Sequence, residues 1–241
     1  MTRTLIEIED LNLYIDRIPL TTNLSLILAE GARLGITGPS GCGKSTLLKA
    51  IVSRKVRGAS TFRKFEVANA LVSYVPQSNG LLPWFSLKRN LAIYSKEPLT
   101  DSEATIQAFE LAKNLSSFPH QLSGGEYQRA VLAAAIINRP SIFLADEPLT
   151  ELDISKKWKL LHYWSNQILA SNSSLLLVSH DLETLLYLCD KVIVLSDKPS
   201  EIRRVISVRS EHPRPLDFLL SQTFVEAKSE LLTFTGDGPS A

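Results

Sequence analysis

The chain has 241 residues, of which 44% are hydrophobic and 21% charged, and its formal net charge is +1. Such a composition supports a buried core and excludes a disordered polyelectrolyte, and the near-balanced charge gives no electrostatic footprint for nucleic acid or for an acidic substrate. No apolar run approaches the roughly 18 residues a membrane-spanning helix needs, and MTRTLIEIED carries acids where a signal peptide would be apolar. Cys42 and Cys189 fit no disulfide framework or zinc spacing. The expectation is a chain that is not secreted, does not itself span a membrane, and works in a reducing compartment.

The first stretch alternates as strands do, at Leu5, Ile6 and Ile8, then Leu11, Leu13 and Ile15, then Leu24, Leu26 and Leu28. Arg33–Thr37 is a short apolar run that ends in a glycine-rich turn, and Lys44–Ser53 reads as a helix. Leu71–Val75 reads as a further strand. From about Ser78 to Gln121 strand patterns vanish. Helical ones replace them at Ser86–Tyr94 and at Asp101–Leu111, the latter with Thr100 as cap and Glu103 completing a capping box. Then come a helix (Gly125–Ile137), a strand (Ile142–Ala145), a helix (Ser155–Leu169), a strand (Leu175–Val178), a helix (Leu182–Leu188) and a strand (Lys191–Leu195). Ile202–Val208 adds a possible strand and Phe218–Leu232 a closing helix, before a loose TGDGPSA tail. Strands alternating with helices imply an α/β fold with a mostly parallel sheet.

The segment Gly38, Pro39, Ser40, Gly41, Cys42, Gly43, Lys44, Ser45 fits G-x-x-x-x-G-K-[ST], and Thr46 follows. Glycines let the backbone curl so that several N–H groups aim at one phosphate, and the following helix offers its positive end to the same anion. Lys44 can reach the outer phosphates and the Ser45 hydroxyl can ligate magnesium. Strand before and helix after is the context this mechanism requires. On its own the motif leaves kinase, GTPase and ATPase open.

Ser141–Ala145 is an apolar run that delivers Asp146 and Glu147 at its end. A buried strand with acids at its carboxyl end points them at the ligand crevice of an α/β sheet. Asp146 would hold magnesium through water, and Glu147 would orient and deprotonate the attacking water.

Leu122, Ser123, Gly124, Gly125 and Glu126 precede a helix and form a second anion-binding end. Standing alone this would be an ordinary helix start with Ser123 as cap. One nucleotide has no use for two such ends on opposite sides of one subunit. Two copies arranged head to tail do, since each serine-glycine end can close over the other's outermost phosphate.

At this point the sequence resembles the ATP-binding cassette family, whose signature is LSGGQ, over nearly the whole chain. The resemblance implies a P-loop NTPase-type sheet with an N-terminal antiparallel β subdomain and an inserted helical subdomain. One cassette would then divide into a core (1–77 and 139–241), a helical lobe (78–138) and a tail (233–241). It also implies roles residue by residue. Gln77 would touch magnesium and sense the transport subunit, His180 would stand near the γ-phosphate, Asp153 after Leu152 would cross to the partner protomer, and Tyr14 would stack on adenine. ATP and Mg2+ follow as cofactors. Three departures stand out: Ala32 for a common Glu, Ala134 where many members have Arg, and Thr150-Glu151 for the usual small pair. None removes a group that meets phosphate, metal or water.

Leu81-Leu82-Pro83-Trp84 and the later Ser196-Asp197-Lys198-Pro199 are similar to segments of the importers for nitrate, sulfonates and taurine. The expectation is therefore an ATP-hydrolysing importer subunit on the cytoplasmic face of the plasma membrane. It would work as a homodimer, or with a second cassette, beside integral membrane permease subunits and indirectly a solute-binding protein, with no nucleic acid. The Pro83, Trp84, Phe85 cluster would be either a groove for a partner's helix or a small core within the lobe. Arg203, Arg204, Arg209 and Arg214 read as a solvated face. A soluble cassette acting on DNA or ribosomes is the alternative, although the long coiled coil or second cassette such proteins carry is missing. A small-molecule kinase would leave the signature and Gln77 unexplained, and Glu147 and His180 argue against a binding-only subunit.

Overall fold

A computed structural model of the protein describes residues 2–56, 60–95, 98–150 and 152–235. Strand β1 (Thr4–Ile15) runs into β2 (Ile18–Ala29) through Asp16 and Arg17, both at positive φ, 48° and 68°. Two central residues in that conformation make the tight hairpin turn whose twist matches paired strands. The sequence led us to expect two strands in β1, but it is one. Asp10 sits at φ 54° and the register slips between Ile8 and Leu11, so the break in alternation is a bulge and not a turn. A short β4 (Lys64–Val67) joins the other edge of β1 and completes an antiparallel β2-β1-β4 sheet. Nothing in Lys64, Phe65, Glu66, Val67 announced it. It is held by its backbone ladder and by the Lys64 ammonium, 2.8 Å from Glu7.

The main sheet has the order β5-β6-β7-β3-β8-β9 among the described residues. Its strands are β3 (Arg33–Thr37), β5 (Val72–Val75), β6 (Ile142–Asp146), β7 (Ser174–Val178), β8 (Lys191–Leu195) and β9 (Ile202–Ser207). Every pairing is parallel except β8 with β9. All residues of β3, β6 and β7 are buried, the continuous apolar reading expected of a parallel sheet covered on both faces. The alternation divides them between two cores. Phe143 and Ala145 enter one and Ile142 and Leu144 the other, where they meet Leu47, Leu48 and Ile51 of helix α1 (Lys44–Ser53) and the inward side chains of the small sheet. A fully buried Leu, Ile or Phe contributes about 1.5–3 kcal/mol relative to exposure, so a polar residue anywhere in β6 would be costly.

Between β5 and β6 the chain is helical: α2 (Leu87–Tyr94), α3 (Glu103–Ala108) and α4 (Gly124–Ile137), with 3-10 turns between them. Thr100 is not the cap expected of it. It lies inside a 3-10 turn, Leu99–Ser102, and its hydroxyl donates to Asp101 instead, so α3 begins only at Glu103. Ala134 is 3% exposed in the first core, where a larger side chain would have to displace its neighbours. Helices α5 (Ile154–Ala170), α6 (Leu182–Leu188) and α7 (Gln222–Thr235) cover the same face. The closing helix expected from Phe218 is a 3-10 turn, Leu216–Leu220, broken at Ser221, whose hydroxyl accepts from the Phe224 N–H to start α7. Residues 233–235 of the expected tail are the last turn of α7, and the rest lies outside the described residues.

Arg214 corrects the expectation of a solvated basic face. It is fully buried, and its guanidinium donates to the carbonyls of Leu186, Tyr187 and Cys189 at the end of α6 and of Val208 and Ser210 after β9. Arg203 and Arg204 do stay exposed, against the ring of Phe234. Cys42 and Cys189 are both free and buried. No described helix is long and apolar enough to cross a membrane.

Candidate active site

The carboxyl ends of β3, β6 and β7 open on one cavity of about 590 Å³. Its first wall is the loop between β3 and α1. Gly38, Gly41 and Gly43 hold φ of 149°, 76° and 107°, conformations that side chains rarely tolerate. Space forbids them as well: a Cβ on Gly38 would lie 2.9 Å from the Leu195 carbonyl oxygen, and one on Gly43 2.7 Å from Thr21 Oγ1. Lys44 is buried and its ammonium donates to the carbonyls of Gly38 (2.7 Å) and Pro39 (2.8 Å), arching back across the loop. Ser40, Gly41, Gly43, Lys44, Ser45 and Thr46 line the cavity. Cys42 points into the second core, and its carbonyl accepts from Ser200 Oγ at 2.7 Å.

The second wall is the end of β6. Asp146 and Glu147 are 3% and 7% exposed. Glu147 takes φ 50°, which turns its side chain back toward the end of β7. There its carboxylate accepts from the His180 N–H at 2.9 Å and from Ser179 Oγ at 3.2 Å, with His180 Nε2 3.8 Å away. Burial pushes the Glu147 carboxyl above the ordinary carboxylate range, and the adjacent Asp146 adds to this. His180 and the two hydrogen bonds pull the other way without reversing it. A carboxyl with raised affinity for a proton, gripped by two donors at the mouth of a phosphate loop, is suited to general-base work. Tyr74 behind it is pushed up to about 12 by burial and by the Asp146 charge, so it stays neutral.

Gln77 and His180 complete the lining. Ser45, Gln77 and Asp146 therefore present a hydroxyl, an amide and one carboxylate to the same space. That is a donor set of hard oxygens, without the cluster of His, Cys, Asp or Glu that a dedicated protein cage needs among the described residues. Magnesium suits it, since that ion binds through one or two protein oxygens plus substrate phosphates.

Not every residue singled out in the sequence lines this cavity. Tyr14 does not line the cavity; Ile15 and Leu20 do. Successive side chains of a strand face opposite ways, so the chain turns Ile15, not Tyr14, toward the site. Asp153 caps α5, accepting from the Lys156 N–H at 2.9 Å. Ser123, Gly124, Gly125 and Glu126 start α4 away from the cavity. Ser123 is exposed and caps the helix in a reciprocal box with Glu126. Of the Thr150-Glu151 pair, Thr150 lines the cavity and Glu151 lies outside the described residues. A groove beside the cavity runs past Gln77, Leu82, Pro83, Pro119 and Tyr127, so Gln77 borders both spaces. At its rim Trp84 is 65% exposed while Leu81 and Leu87 are buried, so the segment supplies both a presented ring and a small core. The fully buried Asn90 braces that loop through the Leu82 N–H and the carbonyls of Leu82, Phe85 and Ser86.

Residues 21–150 match the family model described as "ABC transporter". The aliphatic sulfonates import ATP-binding protein SsuB 2 of Pseudomonas syringae pv. tomato is 33% identical over 87% of this chain and 90% of its own. The corresponding Bacillus subtilis protein is 30% identical over 80% of this chain and 78% of its own. Among solved structures, a dimeric ATP-binding cassette in a post-hydrolysis state with ADP and Pi superposes with a TM-score of 0.71 at 22% identity. It covers 86% of this chain and all of that one. A bacterial Atm1-family exporter with ATP bound gives 0.72 at 22% identity over 95% of this chain and 42% of that one.

Proposed function

The chain belongs to the ABC transporter family, and from that premise we propose that it is the ATP-hydrolysing subunit of an importer for a small solute such as nitrate, a sulfonate or taurine. The observation that carries the catalytic part is the grip on Glu147. Its buried carboxylate is held by Ser179 and by the His180 amide within the cavity that also contains Lys44 and the phosphate loop.

In this reading the loop amides and Lys44 receive the phosphates, with the Lys44 ammonium exchanging loop carbonyls for phosphate oxygens. Ser45, Gln77 and Asp146 hold Mg2+, which neutralises charge developing on the transferred phosphoryl group. Glu147 accepts a proton from the attacking water and His180 positions the γ-phosphate. Ile15 and Leu20 supply the apolar edge for the base.

Two copies act together. What supports this is that the Ser123 helix end, exposed and outside its own cavity, needs a second copy to meet a nucleotide. The solved cassette with ADP and Pi is likewise dimeric. Permease subunits would dock on the groove beside Gln77, whose membership of both spaces suits a residue that reports site occupancy to a partner. The names of the sulfonate-importing relatives support the solute class, and an ATP-binding import subunit of this kind would stand at the cytoplasmic face of the membrane.

The test is Glu147→Gln. ATP binding should persist, hydrolysis should fall by at least about a hundredfold, as loss of a general base does, and a dimer should accumulate with ATP. Normal turnover by that variant would remove Glu147 as base. Failure of the purified chain to bring down a multispanning permease encoded beside it would remove the importer reading.

A further inference from the structure

The turn between β8 and β9, Ser196 to Glu201, is built onto the phosphate loop. Ser200 is fully buried, and its hydroxyl donates to the Cys42 carbonyl at 2.7 Å. Thr21, 1% exposed, donates to the same carbonyl at 3.3 Å and sits 3.1 Å from Ser200 Oγ. Backbone bonds from Ser200 N–H to Leu20 and from Thr22 N–H to Ser200 fix the turn to β2, and Ser196 and Glu201 close it on itself. The buried Ser200 hydroxyl, with Thr21 of β2 beside it, therefore ties this turn to a carbonyl in the middle of the glycine-rich loop.

Lys198 stands at the tip of that turn and lines the cavity. Its ammonium lies 3.1 Å from where a Cβ on Gly41 would be, with Cε at 3.4 Å, so the side chain lies directly over the loop backbone at a glycine of φ 76°. Among the described residues no hydrogen bond or ion pair engages that ammonium. Lys44, the other cation in the cavity, is occupied by two loop carbonyls. A lysine merely trailing in solvent would need no pinned turn beneath it.

We propose that Lys198 is a second phosphate-binding cation, delivered over the loop by the Ser200–Cys42 tie, and that it binds the phosphate chain of the nucleotide. This rests on the nucleotide reading of the cavity. A triphosphate concentrates several negative charges within a few ångströms, and a free ammonium held above the loop amides meets them without moving a folded element. Being solvent-exposed, it contributes to affinity and its contribution is screened by salt.

The experiment is equilibrium binding of fluorescent ATP and ADP analogues to the intact chain, without magnesium, across a salt series. Lys198→Ala and Lys198→Met should raise the ATP dissociation constant on the order of fivefold, an effect of the size expected for a partly screened ion pair. Lys198→Arg should restore binding, Lys198→Glu should weaken it further, and the salt dependence should be shallower for Ala and Met than for the unchanged chain. Melting temperatures of all four should match, since the side chain supports no fold contact. Ala, Met and Glu variants that bind ATP within twofold of the unchanged chain, at every salt, would overturn the proposal while leaving the nucleotide site standing. An unchanged chain that binds neither nucleotide would instead overturn the nucleotide reading itself. A separate variant, Ser200→Ala, should also weaken ATP, and combining it with Lys198→Ala should add little, because one acts through the other.

Discussion

The Glu126 carboxylate accepts hydrogen bonds from both the N–H (3.0 Å) and the hydroxyl (2.9 Å) of Ser123. Asn114 Nδ2 donates to its other oxygen at 3.2 Å. The Ser123 N–H first, then its hydroxyl, then Asn114, hold the Glu126 carboxyl down at about 2 from an ordinary 4.5. The serine that we propose for a partner's phosphate is thus occupied by an anion of its own helix.

The first prediction follows for assembly. Glu126→Gln keeps an acceptor for Ser123 but removes the negative charge from the face offered to a triphosphate. In a Glu147→Gln background it should raise the dimer fraction at subsaturating ATP several-fold, as seen by size exclusion or ultracentrifugation. An unchanged or smaller fraction would show that the charge does not oppose closure. The depressed folded pKa also sets a sign: the cap's contribution is fully present above about 4.5 and is lost as pH falls toward about 2.

A second prediction concerns Glu147, where the sign is opposite. Its folded pKa is raised by burial, so above that value the fold carries an uncompensated part of a buried charge, and below the unfolded value it does not. Glu147→Gln should therefore melt no lower than the parent at pH 7.5, because the neutral amide escapes the burial penalty of the carboxylate. The advantage should vanish by about pH 4. In the parent, the acid limb of the ATPase profile should lie above the ordinary carboxylate range.

Arg214→Met should destabilise the protein by about 3–5 kcal/mol, the usual cost of breaking a buried charged network. The variant strands the carbonyls of Leu186 and Cys189 and removes the cation 4.0 Å from Asp190, which keeps His212 and the Arg33 N–H. Arg214→Lys should recover only part of the loss, because one ammonium cannot reach five carbonyls. Urea denaturation monitored by tryptophan fluorescence would measure both.

Gly38→Ala forces a methyl against the Leu195 backbone at a φ of 149°. The expected result is loss of nucleotide binding together with a stability cost of about 1–3 kcal/mol for the strained backbone. Retained ATP affinity would mean the loop accommodates the methyl by a shift absent from this conformation.

Trp84→Ala should leave the melting point and the ATPase rate of the isolated chain unchanged, because the ring is 65% exposed and Asn90 braces the loop without it. Transport by the assembled complex should fall. A drop in the isolated rate would place Trp84 in the fold or the site instead of at a docking surface.

The parallel strands were legible because both faces of β3, β6 and β7 are buried and read as apolar runs ending at the chemistry. The phosphate loop was legible for a related reason: its glycines answer steric demands that the pattern itself encodes. The sequence could not tell Tyr14 from Ile15 at the cavity edge, because a one-residue offset in a strand reverses the face and no local signal records which of the two turns inward. Arg214 was misread because burial of a guanidinium depends on five carbonyls gathered from two distant segments. β4 carries too few residues to show a period. Ser200 and Thr21 meet across about 180 residues of chain, and only the closed sheet brings them, and Lys198 beside them, to the phosphate loop.

Among the described residues β9 is an edge strand of the large sheet, and it bears Arg203 and Arg204 near its start, both against the ring of Phe234, with Arg204 also paired to Glu230. Bare strand margins recruit further strands, and charge placed on them discourages such stacking. On the proposed reading, a molecule that pairs through one chosen face gains from repelling its own kind everywhere else. Neutralising both arginines should show up first as fibrils or precipitate in storage, well before any loss in catalysis.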